Sequence, residues 1–167
     1  MPEVLIAALR KGIAKAVAGH ADGLLLNFCP PEHVRDLVRS LDEGTGRPRV
    51  SCYLKIFYSR KEETARRMLI QEFANYDRIP SYHQMFESIG VAGEIASASL
   101  ALASKRDNDV SDKLLKVSLA NPTKKELSSY VATFRDAGVD LPCLYPYFES
   151  YEDEVFKIGR VEEIIRL

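Results

Sequence analysis

Tryptophan is absent from this 167-residue chain, and cysteine and histidine appear only three times each. The missing tryptophan removes no class of function. Cys29, Cys52 and Cys143 are widely spaced and odd in number, match no zinc-ligand spacing, and read as reduced thiols of a cytoplasmic protein. Excess charge is lacking too: a net charge of −1 and an isoelectric point near 6.3 leave no electrostatic footprint for nucleic acid or an anionic membrane. No apolar run approaches the ~20 residues of a membrane span. The amino terminus lacks the basic–apolar–small order of a signal peptide, since its cations follow its apolar run. There is no Ser/His/Asp order, no HExxH and no P-loop, so hydrolase and kinase chemistry have no support.

What remains is an ordinary globular composition, 46% hydrophobic and 28% charged, sufficient for one well-cored domain over residues 1–167. A strand–turn–helix–strand unit opens the chain. Val4–Leu9 is an apolar run of strand length, and Arg10-Lys11-Gly12 supplies two cations and a residue free to take positive φ. Ile13–His20 favours helix, Asp22-Gly23 punctuates, and Leu24–Phe28 is a second strand closed by Pro30-Pro31-Glu32. A strand that feeds a helix through such a turn aims backbone N–H groups at the space above the strand's carboxyl end, a common way to hold phosphate.

Further along, Pro31–Leu41 has helical apolar spacing, and Glu43–Pro48 is a loop. Val50–Tyr58 reads as a third strand from its β-branched and aromatic residues. Helices are expected over Arg60–Asn75, Tyr82–Ile89, Val91–Ser104 and Asp109–Val117, with Pro80 as a break and Lys105–Asp109 as a polar loop. Thr123-Lys-Lys-Glu126 has the form of a capping box, predicting a helix from near Pro122 through Phe134 that stops at Gly138. Leu141–Tyr145 is a fourth strand, interrupted by Pro142 and closed by Pro146, and Val161–Leu167 a last helical turn or two. Four strands separated by helices imply an α/β fold with parallel pairing, half of a (β/α)8 barrel whose full length is ~250 residues.

The candidate residues follow from this layout. Arg10 and Lys11 can clamp a phosphate, with Gly12 allowing close approach; the alternative is a solvated cationic turn. Asn27 and Cys29 lie at the carboxyl end of the second strand, where barrel enzymes place their chemistry, although buried cysteines are usually packing residues. His20 and His33 read as structural. Tyr145, Tyr147, Phe148 and Tyr151 form an aromatic cluster that lines either a pocket or a partner surface.

Three segments carry a family likeness. Ala7–Gly23 (AALRKGIAKAVAGHADG), continuing to Leu24–Glu32 (LLLNFCPPE), resembles the luciferase-like monooxygenase family, which comprises bacterial luciferase and its deazaflavin-dependent relatives. Tyr76–Gly90 (YDRIPSYHQMFESIG) is similar to the family's Tyr…Pro-x-Tyr…Phe-Glu…Gly segment. Asn121-Pro122 with Phe134–Pro142 (FRDAGVDLP) resembles its closing helix and last strand. The likeness begins in the middle of the family's barrel, so it implies the second half of a barrel without the four preceding β/α units.

It further implies a flavin such as FMN, or a deazaflavin, with its phosphate at Leu9-Arg10-Lys11-Gly12 and with Asn27 nearby. The turn departs from the family, whose usual Gly-Pro is replaced by Arg10-Lys11. Tyr76, Tyr82 and His83 fall where complete relatives cover the active site, which implies substrate contact; the alternative is a hydrogen-bonded surface pair. Two functions are open: an oxidoreductase of monooxygenase type, completed by a second chain, or a non-catalytic remnant. An apolar sheet cut from a barrel needs cover. A homodimer across the open barrel faces is therefore expected, with Tyr145–Tyr151 near the contact; a separate chain carrying the first half is the second choice.

Overall fold

The computed structural model describes residues 3–41, 47–104 and 110–149, together with 159, 160, 162 and 164. The elements run β1 (Leu5–Ala7), α1 (Lys11–Val17), β2 (Gly23–Asn27), α2 (Pro31–Arg39), β3 (Arg49–Tyr58) and α3 (Glu62–Asp77). They continue as α4 (Pro80–Ser88), α5 (Ala92–Ala103), α6 (Asp112–Leu115), β4 (Leu119–Ala120), α7 (Lys124–Asp136) and β5 (Leu141–Phe148). Every pairing among these strands is parallel. One row of paired residues, Ala7, Leu25, Ser51 and Leu141, crosses the four main strands in chain order. No helix among the described residues is long and apolar enough to cross a membrane by itself.

The long strand β3 organises the sheet. Its odd-numbered backbone groups serve one edge: Arg49 N–H donates to Asp22 C=O, and Phe57 C=O accepts from Asn121 N–H. β2 and the two-residue β4 therefore share that edge, β2 low and β4 high. Tyr58 C=O accepts from Glu149 N–H on the other edge, where β5 lies. The fifth strand, β4, was not expected; two residues show no periodicity to read.

Residues paired across a sheet share a face. One face holds Leu24, Leu26, Val50, Cys52, Leu54 and Ile56, all without solvent exposure. Ala14 of α1 and Val34 and Leu37 of α2 belong to the same core, while Leu127 and Val131 of α7 pack on Ile56 and Tyr58. The opposite face carries Leu5, Tyr53, Leu141 and Tyr145, which are 37–46% exposed. This is the inner face of a half-barrel, and it is open except at its carboxyl end, where α3 and α4 lean over it.

Several boundaries move for local reasons. β1 covers Leu5–Ala7 rather than Val4–Leu9, and Val4 N–H bonds the Asp22 carboxylate at 2.8 Å just before it. Gly12 is helical and carries no positive φ, so the freedom expected of it is not used; Gly19, at φ 86°, ends α1 before His20 instead. Pro80 starts α4 as its first residue rather than merely breaking the chain, as fits a position whose N–H has no helical partner. α6 is only four residues long, capped by Ser111.

The capping box on α7 forms as expected. Thr123 Oγ1 accepts from Glu126 N–H, and Glu126 returns the bond to Thr123 N–H at 2.7 Å. Gly138, at φ 102°, turns the chain out of α7, a conformation a β-carbon would strain.

Pro146 does not close β5, which runs on through Phe148. Glu149 N–H points at β3, and N–H direction alternates along a strand, so positions 142 and 146 face the free edge. A proline there costs no ladder bond. Of the tail, positions 160, 162 and 164 are helical. Tyr151, the loop positions 42–46 and 105–109, and the rest of the expected final turn lie outside the described residues.

Candidate functional site

A lysine is buried in the carboxyl-terminal half of the third strand. Lys55 lies on the inner face, with its side chain 3% exposed, and Nζ stands 2.6 Å from Glu72 Oε1 of α3. The same ammonium donates to Tyr147 Oη of β5 at 2.8 Å, and that hydroxyl donates to Glu72 Oε1 at 2.6 Å. Aromatic rings close the remaining sides: Nζ is 4.0 Å from the Tyr76 centroid and 4.3 Å from that of Phe28. A buried charge is tolerated only with such pairing, and the ring faces add cation–π attraction.

Electrostatics follow from this packing. Burial pushes the Glu72 carboxyl up, but the hydrogen bonds from Lys55 and Tyr147 and the lysine charge outweigh it, leaving its pKa below the ordinary value. Burial, reinforced by the bond to the Glu72 carboxylate, pushes the Tyr147 phenol well up. At neutral pH Glu72 is therefore an acceptor and Tyr147 a protonated donor.

The second part of the site grows from the end of β2. Asn27 Nδ2 donates to Tyr82 Oη at 2.9 Å, while Asn27 Oδ1 is buried with no partner. Whichever way the amide is turned, one of its polar atoms is left over. Ser51 Oγ, on the same face, is also buried without a partner. The next residue, Phe28, takes φ 53°, a conformation costing a non-glycine residue ~1–2 kcal/mol. That reversal brings the Phe28 ring against Phe73 at 4.6 Å and Tyr76 at 4.8 Å. Tyr76 in turn meets Tyr82 edge-on at 4.6 Å, so the Asn27 and Lys55 groups join through aromatic contacts. A cavity of about 410 Å³ opens beside Glu72 and Tyr147.

Of the residues expected from sequence, the structure gathers Asn27, Tyr76 and Tyr82. His83 stays on the surface, 2.9 Å from Asp77 and 3.5 Å from Glu87. The bond and charge of Asp77 raise its pKa. The Leu9–Gly12 turn lies at the same carboxyl end of the sheet but is already engaged. Arg10 donates to Gln84 Oε1 at 2.8 Å, and Lys11 stands 3.7 Å from Asp36. Leu9 C=O accepts from His33 Nε2–H at 3.1 Å, and burial holds His33 below its ordinary pKa, confirming a structural histidine. Cys29 is fully buried against Met85, its thiol pushed up to about 12 by burial, so it packs rather than reacts.

Sequence reasoning missed Lys55 and Glu72. The available signal was a lysine flanked by Tyr53 and Phe57 at inner-face positions of an otherwise apolar strand. Tyr145 and Tyr147 were singled out as aromatics; both lie on the inner face, and only Tyr147 bonds the ion pair.

No protein-family model and no curated protein matches the chain. Solved structures do. The coenzyme F420 dependent tetrahydromethanopterin reductase from Methanopyrus kandleri is 16% identical, with a TM-score of 0.59 over 95% of this chain and 49% of that one. An F420-dependent secondary alcohol dehydrogenase, solved with an F420-acetone adduct, is 9% identical, with a TM-score of 0.54 over 96% of this chain and 48% of that one. The chain spans about half the length of the structures it matches. Its α/β fold, a parallel sheet with helices, matches about half of each of these two structures.

Proposed function

We propose that the chain is the half-barrel of a deazaflavin-dependent oxidoreductase of the luciferase-like family. The observation that carries this reading is the cluster Asn27–Lys55–Glu72–Tyr147. It stands on the inner face at the carboxyl ends of the strands, where (β/α)8 enzymes hold their chemistry. The fold similarity to two F420-dependent enzymes favours a deazaflavin over FMN.

The residues present fit such a group. The leftover polar atom of Asn27 calls for a hydrogen-bonding ligand, because a buried unpaired amide atom costs ~1–3 kcal/mol. Within this reading Asn27 would hydrogen-bond the cofactor, and Arg10 and Lys11 would hold its phosphate in place of their present partners Gln84 and Asp36. When bound, the deazaflavin supplies the hydride chemistry. Glu72 accepts and Tyr147 holds a proton beside it, and Lys55 keeps Glu72 ionised. Productive geometry in a barrel draws groups from several strands, so turnover would draw on groups beyond those of this half-barrel.

Mixing the purified chain with oxidised F420 or with FMN tests the assignment by visible absorbance and equilibrium dialysis. Saturable F420 binding, weaker for FMN and weakened in Asn27→Ala, is the expected result. Absence of F420 binding overturns it. The second reading, a non-catalytic module that associates with itself, is favoured by one observation: the inner face remains apolar and open below the cluster.

A further inference from the structure

We propose that the cleft between α2, the α4–α5 turn and α6 binds a small zwitterion whose ammonium and carboxylate are separated by a short apolar chain. The cleft has a volume of about 440 Å³, within the range of small-molecule sites. None of its lining residues belongs to the Lys55–Glu72 cluster, so the proposal goes beyond the function proposed above. It touches the Leu9–Gly12 turn only through Asp36, the partner of Lys11, and His33, the donor to Leu9 C=O.

The lining sorts by chemistry onto separate elements. Pro30, Ile89, Val91 and Val117 supply the apolar surface, with Val91 and Val117 buried. Both acids, Glu32 and Asp36, stand on α2 at i,i+4 spacing and so share a face. Both lysines, Lys113 and Lys116, come from α6 and its carboxyl cap. No ion pair bridges the two walls. Asp36 turns to Lys11 at 3.7 Å and Lys113 to Glu94 at 3.3 Å, whereas Glu32 and Lys116 hold no ion pair among the described residues.

Charge counting selects the ligand. Two carboxylates and two ammonium groups cancel, so a ligand of one sign would meet repulsion from one wall as well as attraction from the other. The uncharged polar groups add no bias. Burial keeps His33 below its ordinary pKa, with Nε2–H committed to Leu9 C=O, and the Ser88 hydroxyl donates to Met85 C=O at 2.7 Å. A molecule with an ammonium for Glu32, a carboxylate for Lys116 and an apolar chain between them satisfies both walls and the base together.

Histidine NMR reads the cleft directly, because His33 lines it and the other two histidines, His20 and His83, do not. Titration with ε-aminocaproate at constant pH and ionic strength should shift the His33 imidazole signals saturably and leave His20 and His83 in place. Hexylamine offers the ammonium alone, caproate the carboxylate alone, and glycine both charges without the chain. Each should bind about fivefold more weakly, the loss of one exposed pair. Glu32→Gln should bring ε-aminocaproate down to the affinity of caproate, and Lys116→Gln to that of hexylamine. Both positions are exposed, as is Ser88, where Ser88→Trp should fill the cleft and abolish the shift. A static His33, equal movement of His83, hexylamine or caproate binding as tightly as the zwitterion, or binding indifferent to all three variants overturns the proposal.

Discussion

Lys55 Nζ stands 2.6 Å from Glu72 Oε1, with the lysine sealed and the glutamate partly open to solvent. The pair is therefore asymmetric. Removing Glu72 strands a buried charge, whereas removing Lys55 leaves a carboxylate that water can reach. Glu72→Leu should cost ~3–5 kcal/mol in urea unfolding, and Lys55→Met less. The double variant should recover much of the loss, since an apolar pair avoids desolvation altogether. The pH dependence has a definite sign. Glu72 has a folded pKa below its unfolded one, so its contribution is complete above about pH 5 and fades as pH falls through the folded value. Urea midpoints of wild type and Glu72→Gln should converge in acid and diverge toward neutrality.

Pro142 and Pro146 present no N–H to the free edge of β5, leaving Leu144 as the donor between them. Such an edge resists addition of a further strand. Replacing both prolines by threonine should restore two edge donors without touching a β3–β5 bond. The expected outcome is higher-order association in light scattering at an unchanged urea midpoint.

Those prolines also show what a sequence conceals. Val50–Tyr58 was legible as a strand from composition, and Thr123–Glu126 as a helix start from local bonding, because both signals lie within a few residues. Pro146 reads locally as a strand stop, and only the register of β5 on β3 makes it an edge residue. Lys55 and Glu72 are 17 residues apart. Their meeting depends on how α3 lies over the inner face, which no periodicity records. Asn27, by contrast, was legible because carboxyl ends of strands are where barrels place function, whatever the helices do.

Among the described residues, the two non-glycine residues with positive φ, Phe28 and Asn121, both follow strand ends. Asn121, at φ 42°, also accepts Ser59 N–H on Oδ1 at 2.9 Å. Asn121→Gly relieves the backbone and loses the bond; Asn121→Ala loses the bond and adds strain. Stability should fall in the order wild type, Gly, Ala, with the Ala variant lower by ~1–3 kcal/mol. Equal stability of the two variants would show that the backbone there carries no strain.

His83 and His33 should titrate on opposite sides of the ordinary imidazole value. His83 is raised by the hydrogen bond and charge of Asp77, and His33 is lowered by burial. Imidazole NMR titration checks both, and Asp77→Asn should return His83 toward its ordinary range while leaving His33 unmoved.

The last expectation concerns self-association. Leu5, Tyr53, Leu141 and Tyr145 are exposed on one face of the sheet, while the opposite face is sealed beneath α1, α2 and α7. The Tyr53 and Tyr145 rings meet at 5.6 Å and form the centre of an apolar patch between the ion-pair cluster and the amino ends of the strands. Parallel sheets are almost always covered on both faces. Among the described residues of this chain nothing covers the amino-terminal part of that face, and we propose that a second copy does. A second copy supplies an identical apolar patch, and a two-fold axis along the strands would keep all of them parallel. The prolines of β5 disfavour a hydrogen-bonded seam, so contact should be made face to face through side chains. An obligate interface of this kind buries more than ~2,000 Å². Sedimentation equilibrium at micromolar concentration should give twice 18.8 kDa. Tyr145→Glu together with Tyr53→Glu should return the chain to its monomer mass, because two carboxylates buried in an apolar contact cannot be paired there. Wild-type protein that sediments as a well-folded monomer overturns the dimer. If the monomer instead captures a separate chain carrying the other half of the barrel, the open face has a different occupant.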